Sequence, residues 1–222
     1  MLYEVDPIVP FFGNDEFGRL SPLRRIPVLV DDAVTLCDST VICEYLEERY
    51  PSPALLPRSA ALRARARWLE EFADTRMGDV LIWRYFNQLV IRRFIWGEKP
   101  DEEVVRKARE EEIPSILNYL EIEFPREGFL FGPVRTADIA IASFFRNAGI
   151  ARYTIDAQRW PKTAAFVART LALPAFEKLK RYEDVILGTP VAEQQVRLEA
   201  VGAPLSATTL GTATPRRGIM PI

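Results

Sequence analysis

Three prolines in a short stretch divide the chain into two parts of different character. Pro51, Pro53 and Pro57 fix backbone dihedrals and remove N–H donors, so residues 51–59 resist both a helix and a central strand. We expect an inter-domain linker there. The pattern before it has short extended runs and one helix, and the pattern after it is helical. The sequence therefore predicts an α+β two-domain fold, with an α/β domain over residues 1–50 and an all-helical domain over residues 60–188.

The N-terminal part contains a hairpin followed directly by a helix. Ile26–Val30 is a β-branched run, two aspartates supply a turn, and Val34–Leu36 returns as the antiparallel partner. Apolar residues then recur at helical spacing as far as the first linker proline. Asp38 or Ser39 is expected to cap this helix.

The two ends of the chain carry weaker signals. Tyr3–Val9 is predicted to be extended, and the glycines and polar residues of Phe11–Ser21 are typical of a loop. In the extension over residues 189–222, Val191–Val201 is compatible with one more helix. Residues 203–222 are rich in Thr, Ala, Gly and Pro, and this composition favours disorder.

The helical part is predicted from apolar periodicity and from prolines near first turns. The predicted helices are Ala60–Trp96 with a break near Gly78, Asp101–Phe124 with a kink or new first turn at Pro114, Thr136–Ala151, Lys162–Leu173 and Ala175–Leu187. The third of these is small or apolar on nearly every face, which predicts that it lies at the centre of the domain.

The absence of histidine limits the chemistry of the chain. Without it there is no Ser-His or Cys-His nucleophile pair and no His-based zinc site. Cys37 and Cys43 match neither a C-x-x-C pair nor a metal-ligand set, so no metal is predicted, and both are expected to be small buried residues in a reducing compartment. Chemistry must rest on carboxylates, hydroxyls, thiols, backbone amides or a bound cofactor.

Charge and hydropathy exclude two classes of partner. Lys and Arg total 29 against 31 Asp and Glu, so there is no basic excess for nucleic acid. No apolar run approaches the roughly 20 residues that span a bilayer, and the N-terminus lacks a signal-peptide layout. We expect a cytoplasmic protein that binds neither nucleic acid nor membrane.

Two N-terminal stretches resemble the glutathione-binding half of the glutathione transferases. These are Ser21–Leu29 and Leu36–Leu46. Thr136–Ala140 resembles the core helix of that family, and residues 160–176 resemble its last helix pair. The resemblance covers roughly the first 190 residues. It implies a thioredoxin-like N-terminal domain, an all-helical C-terminal domain, a homodimer and a role in detoxification.

The residue types in these stretches suit a small zwitterionic peptide. A cis bond between Ile26 and Pro27 would turn the Ile26 amide and carbonyl outward, where an extended peptide pairs with them. Ser39 and the free amides of the helix start suit a carboxylate, and Asp38 suits an ammonium group. Arg25 suits a second carboxylate. Taken one at a time, Asp38-Ser39 is an ordinary helix cap, Pro27 is an edge-strand proline and Arg25 is a solvated charge. The spacing of all three together favours a glutathione site.

The resemblance also implies an activity. Glutathione is the co-substrate, its thiol pKa is lowered by the enzyme, and the thiolate adds to a hydrophobic electrophile. The alternative is a non-catalytic interaction or regulatory module, because fold does not fix function. A glutathione-dependent isomerase, reductase or dehalogenase also stays open.

The family's first strand and helix, whose junction carries the catalytic Ser, Tyr or Cys, have no counterpart in this sequence. We therefore expect the natural protein to begin upstream of Met1, and the catalytic residue is unknown. Ser21 is a faint candidate. For a chain that starts at Met1, the Tyr3 segment is expected to be loose or to pair with Ile26–Val30.

Two features of the helical part complete the predictions. Arg135 stands where the family usually has a capping Ser or Thr, so Thr136 is expected to cap its helix. Trp83, Tyr85 and Phe86 are expected in a core or a dimer interface rather than in the site.

Overall fold

The structure is a computed structural model that describes residues 2–9 and 11–217. Its described residues form two compact units. The first combines Met1–Glu48 with Pro174–Ile222, and the second is Arg49–Leu173. The division after Glu48 lies close to the predicted start of the linker.

The described elements include two strands and ten α-helices, with two π-helical segments between some of them. The strands are β1 (Val28–Val30) and β2 (Thr35–Cys37). The helices are α1 (Asp15–Leu20), α2 (Ser39–Arg49), α3 (Ala60–Phe72), α4 (Arg92–Phe94), α5 (Glu102–Lys107), α6 (Ile113–Glu123), α7 (Thr136–Ile150), α8 (Pro161–Leu171), α9 (Pro174–Gly188) and α10 (Val191–Ala200). The π-helical segments are Ala73–Ile91 and Ala108–Glu112.

The predicted hairpin is present. β1 pairs with β2 in antiparallel fashion, with Val28 opposite Cys37 and Val30 opposite Thr35. Asp31 shapes the turn, because its N–H donates to the Val34 carbonyl at 3.0 Å and its Oδ1 accepts the Val34 N–H at 2.9 Å. The helix α2 follows at once, as the spacing predicts.

The loop predicted over Phe11–Ser21 is wrong in its second half, where α1 forms. Asn14 caps this helix, its Oδ1 accepting the Phe17 N–H at 2.9 Å. Asp15 and Glu16 add negative charge at the first turn, where the helix dipole favours it. Phe17 is buried, which fixes the short helix to its unit.

The N-terminal segment pairs with the tail of the chain. Val5 forms a parallel bridge with Leu205, and Gly13 forms an antiparallel bridge with Gly211. The segment is therefore neither loose nor paired with β1, which were the two predicted arrangements. The described part of the tail, up to Arg217, hydrogen-bonds to the N-terminal segment through residues such as Ser206 and Thr212, and residues 218–222 lie outside the described part.

The tail changes how the helices are grouped. The sequence places α9 in the helical domain ending at residue 188, whereas in the structure α9 belongs to the first unit. It packs against α10, which begins three residues after α9 ends. The sequence signal was ambiguous because α9 is amphipathic and has no fully buried residue.

The second unit is built around α7, as predicted. This helix packs against α3, the first π-helical segment and α8. The surrounding core includes Leu69, Met77, Leu81, Ile116, Leu117, Leu120, Ile141 and Phe166, all at most 2% exposed. The helix that begins at Ala60 continues past Gly78 without the predicted break, and Pro114 lies in the first turn of α6 as expected.

The cap of α7 differs from the prediction. Thr136 is not the cap, because its hydroxyl donates to the Leu55 carbonyl at 3.5 Å. The fully buried Asp138 instead accepts the N–H groups of Arg135 at 2.7 Å and Leu130 at 2.9 Å. Asp138 thus satisfies the Arg135 N–H from inside the helix, while the Thr136 N–H donates to the Leu55 carbonyl at 3.0 Å.

Among the described helices, none has both the length and the apolarity that a membrane crossing requires.

Candidate functional site

The predicted site residues lie at one end of the hairpin. The antiparallel register ends with Val28 opposite Cys37, so the next residues outward, Pro27 and Asp38, face each other across the open end. The Ile26–Pro27 bond is cis. Neither the N–H nor the carbonyl of Ile26 bonds to another residue within the described chain. This exposed backbone is free to pair with an extended ligand.

Asp38 caps α2 from an uncommon backbone conformation. Its φ is +81°, which non-glycine residues seldom adopt and which asparagine and aspartate tolerate best. Its Oδ1 accepts the N–H of Thr40 at 2.9 Å and, more weakly, that of Val41 at 3.3 Å. Such backbone outliers cluster at functional sites. The carboxylate is exposed, so a ligand ammonium group has access to it.

Ser39 is the first residue of α2 and is exposed. Its hydroxyl has no hydrogen-bond partner among the residues that the structure describes. Asp38 accepts two of the amides that the sequence analysis expected to be free at this helix start, so that part of the expectation is wrong. The Ser39 hydroxyl is available as a donor for an anionic ligand group.

Arg25 is held at the site through its backbone. Its N–H donates to Ser21 Oγ at 2.9 Å, and Ser21 Oγ donates to its carbonyl at 2.9 Å. The exposed side chain of Arg25 extends from this fixed point. Ser21 is 1% exposed and its hydroxyl is both donor and acceptor in these bonds, so it does not fit the catalytic role considered for it.

Arg24 is a positioning residue that the sequence pattern did not reveal. Its φ is +53°, and its guanidinium donates to the carbonyls of Gly13 at 3.1 Å and Asn14 at 3.2 Å. These bonds tie the start of α1 to the residues before the hairpin. Arg216 and then Arg24 hold the pKa of the Asp15 carboxyl below its usual value.

An apolar pocket of about 330 Å³ lies beside Ile26 in the first unit. Its walls come from the N-terminal segment, α9, α10 and the tail. They include Tyr3, Val5, Ile8, Leu179, Tyr182, Ile186, Leu198 and Leu205. This pocket was not predicted from the sequence. The available sequence signal was the i, i+3, i+7 spacing of Leu179, Tyr182 and Ile186, which places three apolar side chains on one face of a helix.

Neither Cys37 nor Cys43 forms a disulfide bond within the part of the chain that the structure describes. Cys37 is half-buried and its thiol lies 2.9 Å from the Leu20 carbonyl. Cys43 is exposed, so the prediction that it is a buried residue is wrong. It occupies the solvent side of α2, next to the buried Ile42.

The aromatic residues expected in a core or interface are divided between surface and interior. Trp83 is 37% exposed, whereas Tyr85 is 3% exposed and meets the ring of Tyr153 edge-on, with centroids 5.8 Å apart.

Comparisons with known proteins identify the family of the chain. The family model "Glutathione S-transferase, N-terminal domain" matches residues 2–54. The chain is 32% identical over 168 residues to a probable maleylacetoacetate isomerase of Vibrio cholerae, covering 72% of this chain and 73% of that protein. It is 46% identical over 58 residues to probable maleylacetoacetate isomerase 1 of Drosophila melanogaster, but that match spans 26% of this chain and 24% of the relative. A crystal structure of a glutathione S-transferase from Rhodospirillum rubrum matches with a TM-score of 0.67 and 30% identity, covering 73% of each chain.

The chain therefore belongs to the glutathione S-transferase family. Its fold class is the predicted one, α+β, with a thioredoxin-like N-terminal part and a helical C-terminal part.

Proposed function

We propose that this protein binds glutathione at the open end of the β1–β2 hairpin. The observation that carries the proposal is the unpaired backbone of Ile26 at the same hairpin end as Asp38. A tripeptide is long enough to contact both the Ile26 backbone and Asp38, since one extended residue advances about 3.3 Å.

Each end of glutathione has a suitable partner in this arrangement. Asp38 would hold the γ-glutamyl ammonium group, while the Ser39 hydroxyl would donate to the neighbouring carboxylate. Ile26 would pair with the cysteinyl backbone, and Pro27 would contact the peptide beside it. Arg25 would hold the glycyl carboxylate. Five residues, Arg25, Ile26, Pro27, Asp38 and Ser39, thus make up the proposed site.

The reaction proposed is addition of the glutathione thiolate to a hydrophobic electrophile. The apolar pocket that includes Ile26 in its wall would hold that electrophile next to the tripeptide. No metal takes part in this proposal, and the residue that would stabilise the thiolate is not assigned. The proposal includes a cytoplasmic homodimer with a role in detoxification, as is typical of the family.

A glutathione-dependent isomerisation is the second candidate, favoured by the match to the Vibrio cholerae isomerase. The thiolate would add to one carbon of an activated double bond, leaving a single bond that rotates. Expulsion of the same thiolate would then restore the double bond in the other geometry, with no net consumption of glutathione.

Calorimetric titration with glutathione tests the binding step, and S-methylglutathione serves as a ligand of the same shape without a thiol. We expect heat of binding with both. Addition of a chloronitrobenzene-type electrophile should then release chloride if the protein conjugates. Isomerisation of a maleyl-type alkene at constant glutathione would support the second candidate.

The absence of binding heat for both peptides would reject the proposal. That result would favour the remaining alternative, a non-catalytic interaction or regulatory module.

A further inference from the structure

A polar pocket of about 420 Å³ lies within the second unit, and its lining includes none of the residues proposed for glutathione. One side is formed by the π-helical segment Ala108–Glu112 and the start of α6. The other is the loop after α7. Three arginines, Arg109, Arg152 and Arg159, line it together with Tyr153 and Trp160.

The charge of this pocket is predominantly positive. Among the described residues, no carboxylate forms an ion pair with any of the three guanidinium groups. Glu110 also lines the pocket, but its carboxylate accepts from Arg106 at 3.0 Å. Asp156 is nearby, and its Oδ1 accepts the Gln158 N–H at 2.9 Å. The cations therefore outnumber the local anions, and both anions already have donors.

Arg152 occupies a position where glycine is usual. It follows the end of α7 with φ of +64°, and its N–H donates to the Gly149 carbonyl at 2.9 Å. The next N–H, from Tyr153, closes the helix end by donating to the Ala148 carbonyl at 2.9 Å. Glycine avoids the strain of this conformation, so an arginine at this position lowers the stability of the fold. Such a cost is consistent with a role for its guanidinium in the pocket.

The remaining donors are held in place. Arg159 lies 4.2 Å from the centre of the Trp160 ring, and this ring is fixed because its Nε1 donates to Asn118 Oδ1 at 2.8 Å. Burial, and then the neighbouring Tyr85, raise the pKa of Tyr153 to about 12. Its hydroxyl is therefore protonated near neutral pH and can donate to an anion.

We infer that this pocket is a binding site for a small dianion, a phosphate monoester or a dicarboxylate, held by Arg109, Arg152 and Arg159. Guanidinium groups match the planar pairs of oxygens on both anions, and charge-assisted hydrogen bonds are the strong ones. The volume admits a metabolite larger than the bare anion.

Calorimetric titration of the full chain with inorganic phosphate and, separately, with succinate tests the inference at low ionic strength. We expect binding of at least one anion, weakened about tenfold by Arg109→Gln and by Arg152→Gly. The anion that binds with the higher affinity shows whether the natural ligand is a phosphate monoester or a dicarboxylate. Arg152→Gly should keep or raise the melting temperature, because glycine suits φ of +64°.

Arg126→Gln is the matched control, since it removes one exposed arginine outside the pocket. Its anion affinity should equal that of the wild type. Equal weakening in Arg126→Gln and Arg152→Gly would overturn the inference, because the effect would then be one of overall charge. Absence of heat with both anions would overturn it as well. Glutathione binding should be unchanged in Arg152→Gly, which separates this site from the one proposed above.

Discussion

Val5 is paired with Leu205 across nearly the whole length of the sequence. The Val5 N–H donates to the Pro204 carbonyl at 2.7 Å, and the Val5 carbonyl accepts the Ser206 N–H at 3.0 Å. Both residues also line the apolar pocket beside Ile26. The tail is thus a structural part of the unit that carries the proposed site.

Asp6→Asn should loosen this tail. The Asp6 carboxylate accepts the Leu210 N–H and the Thr209 hydroxyl, each at 2.7 Å. Losing the charge should lower the free energy of unfolding by about 1 kcal/mol and speed hydrogen exchange at Asn14, whose N–H donates to the Leu210 carbonyl. Glu4→Gln removes the same charge from an exposed neighbour and should leave that exchange rate unaltered. Identical exchange in both variants would contradict the structural role of Asp6.

Asp138→Ala and Asp101→Ala form a matched pair of helix-start variants. Each aspartate accepts two backbone N–H groups, but Asp138 is fully buried whereas Asp101 is exposed. Removing the fully buried Asp138 leaves two partly buried N–H donors without an acceptor, so we expect a loss of about 3 kcal/mol. Asp101→Ala should cost about 1 kcal/mol. Chemical denaturation measures both, and equal losses would show that burial does not set the cost.

Glu70→Gln should stabilise the protein in a pH-dependent way. Burial raises the pKa of Glu70 and Asp74 raises it further, while the neighbouring Thr136 and Arg67 lower it only in part. A raised folded-state pKa means that the folded state resists ionisation. The wild type therefore loses stability as the pH rises from the usual glutamate pKa of 4.5 through the raised pKa of the folded state. The advantage of the variant should grow over that window.

Denaturation from about pH 4 to about pH 8 checks this. Glu71→Gln, at an exposed position one residue later, is the control for loss of charge. An advantage for Glu70→Gln that shrinks as pH rises would contradict the assignment.

Asp38→Asn tests whether the negative charge of Asp38 serves ligand binding independently of its capping of α2. Asparagine also accepts the N–H groups of Thr40 and Val41 and tolerates φ of +81°, so the melting temperature should hold. Glutathione affinity should fall about tenfold with the lost ammonium partner. Asp32→Asn, in the exposed hairpin turn, should bind as the wild type does in the same titration. An affinity that is unchanged in Asp38→Asn would remove this carboxylate from the proposed site.

Leu179→Gln tests the apolar pocket without requiring activity. Leu179 lies in its wall and is 49% exposed, so the substitution should be tolerated by the fold. Titration with an apolar fluorescent dye should show affinity reduced about fivefold, as expected for losing part of a leucine's burial. Leu187→Gln, on the same helix but outside that wall, is the control. Equal dye binding by both variants would exclude the pocket as the dye site.

The elements of this fold that depend on residues close together in the sequence could be predicted. The hairpin, α2 and α7 follow from β-branched runs, turn residues and helical periodicity, all of which act over a few positions. The partner of Val5 was missed because it lies at the other end of the chain, and composition alone gave no reason to expect order near Leu205.

The site was predictable to a similar degree. Asp38 and Ser39 could be placed at a helix start by their spacing from the hairpin, and Ile26 by its proline. The role of Arg24 depends on a left-handed backbone conformation and on carbonyls ten residues away, which no local pattern encodes.

The bridge between Val5 and Leu205 also determines when the first unit can complete its folding during translation. During translation at about 5 to 20 residues per second, the first segment waits on the order of 10 to 40 seconds before its partner has been made. The second unit, Arg49–Leu173, is complete by then. The unit that carries the proposed glutathione site is therefore the last to close, and nascent chains halted before residue 205 should expose the apolar wall beside Ile26 to chaperones.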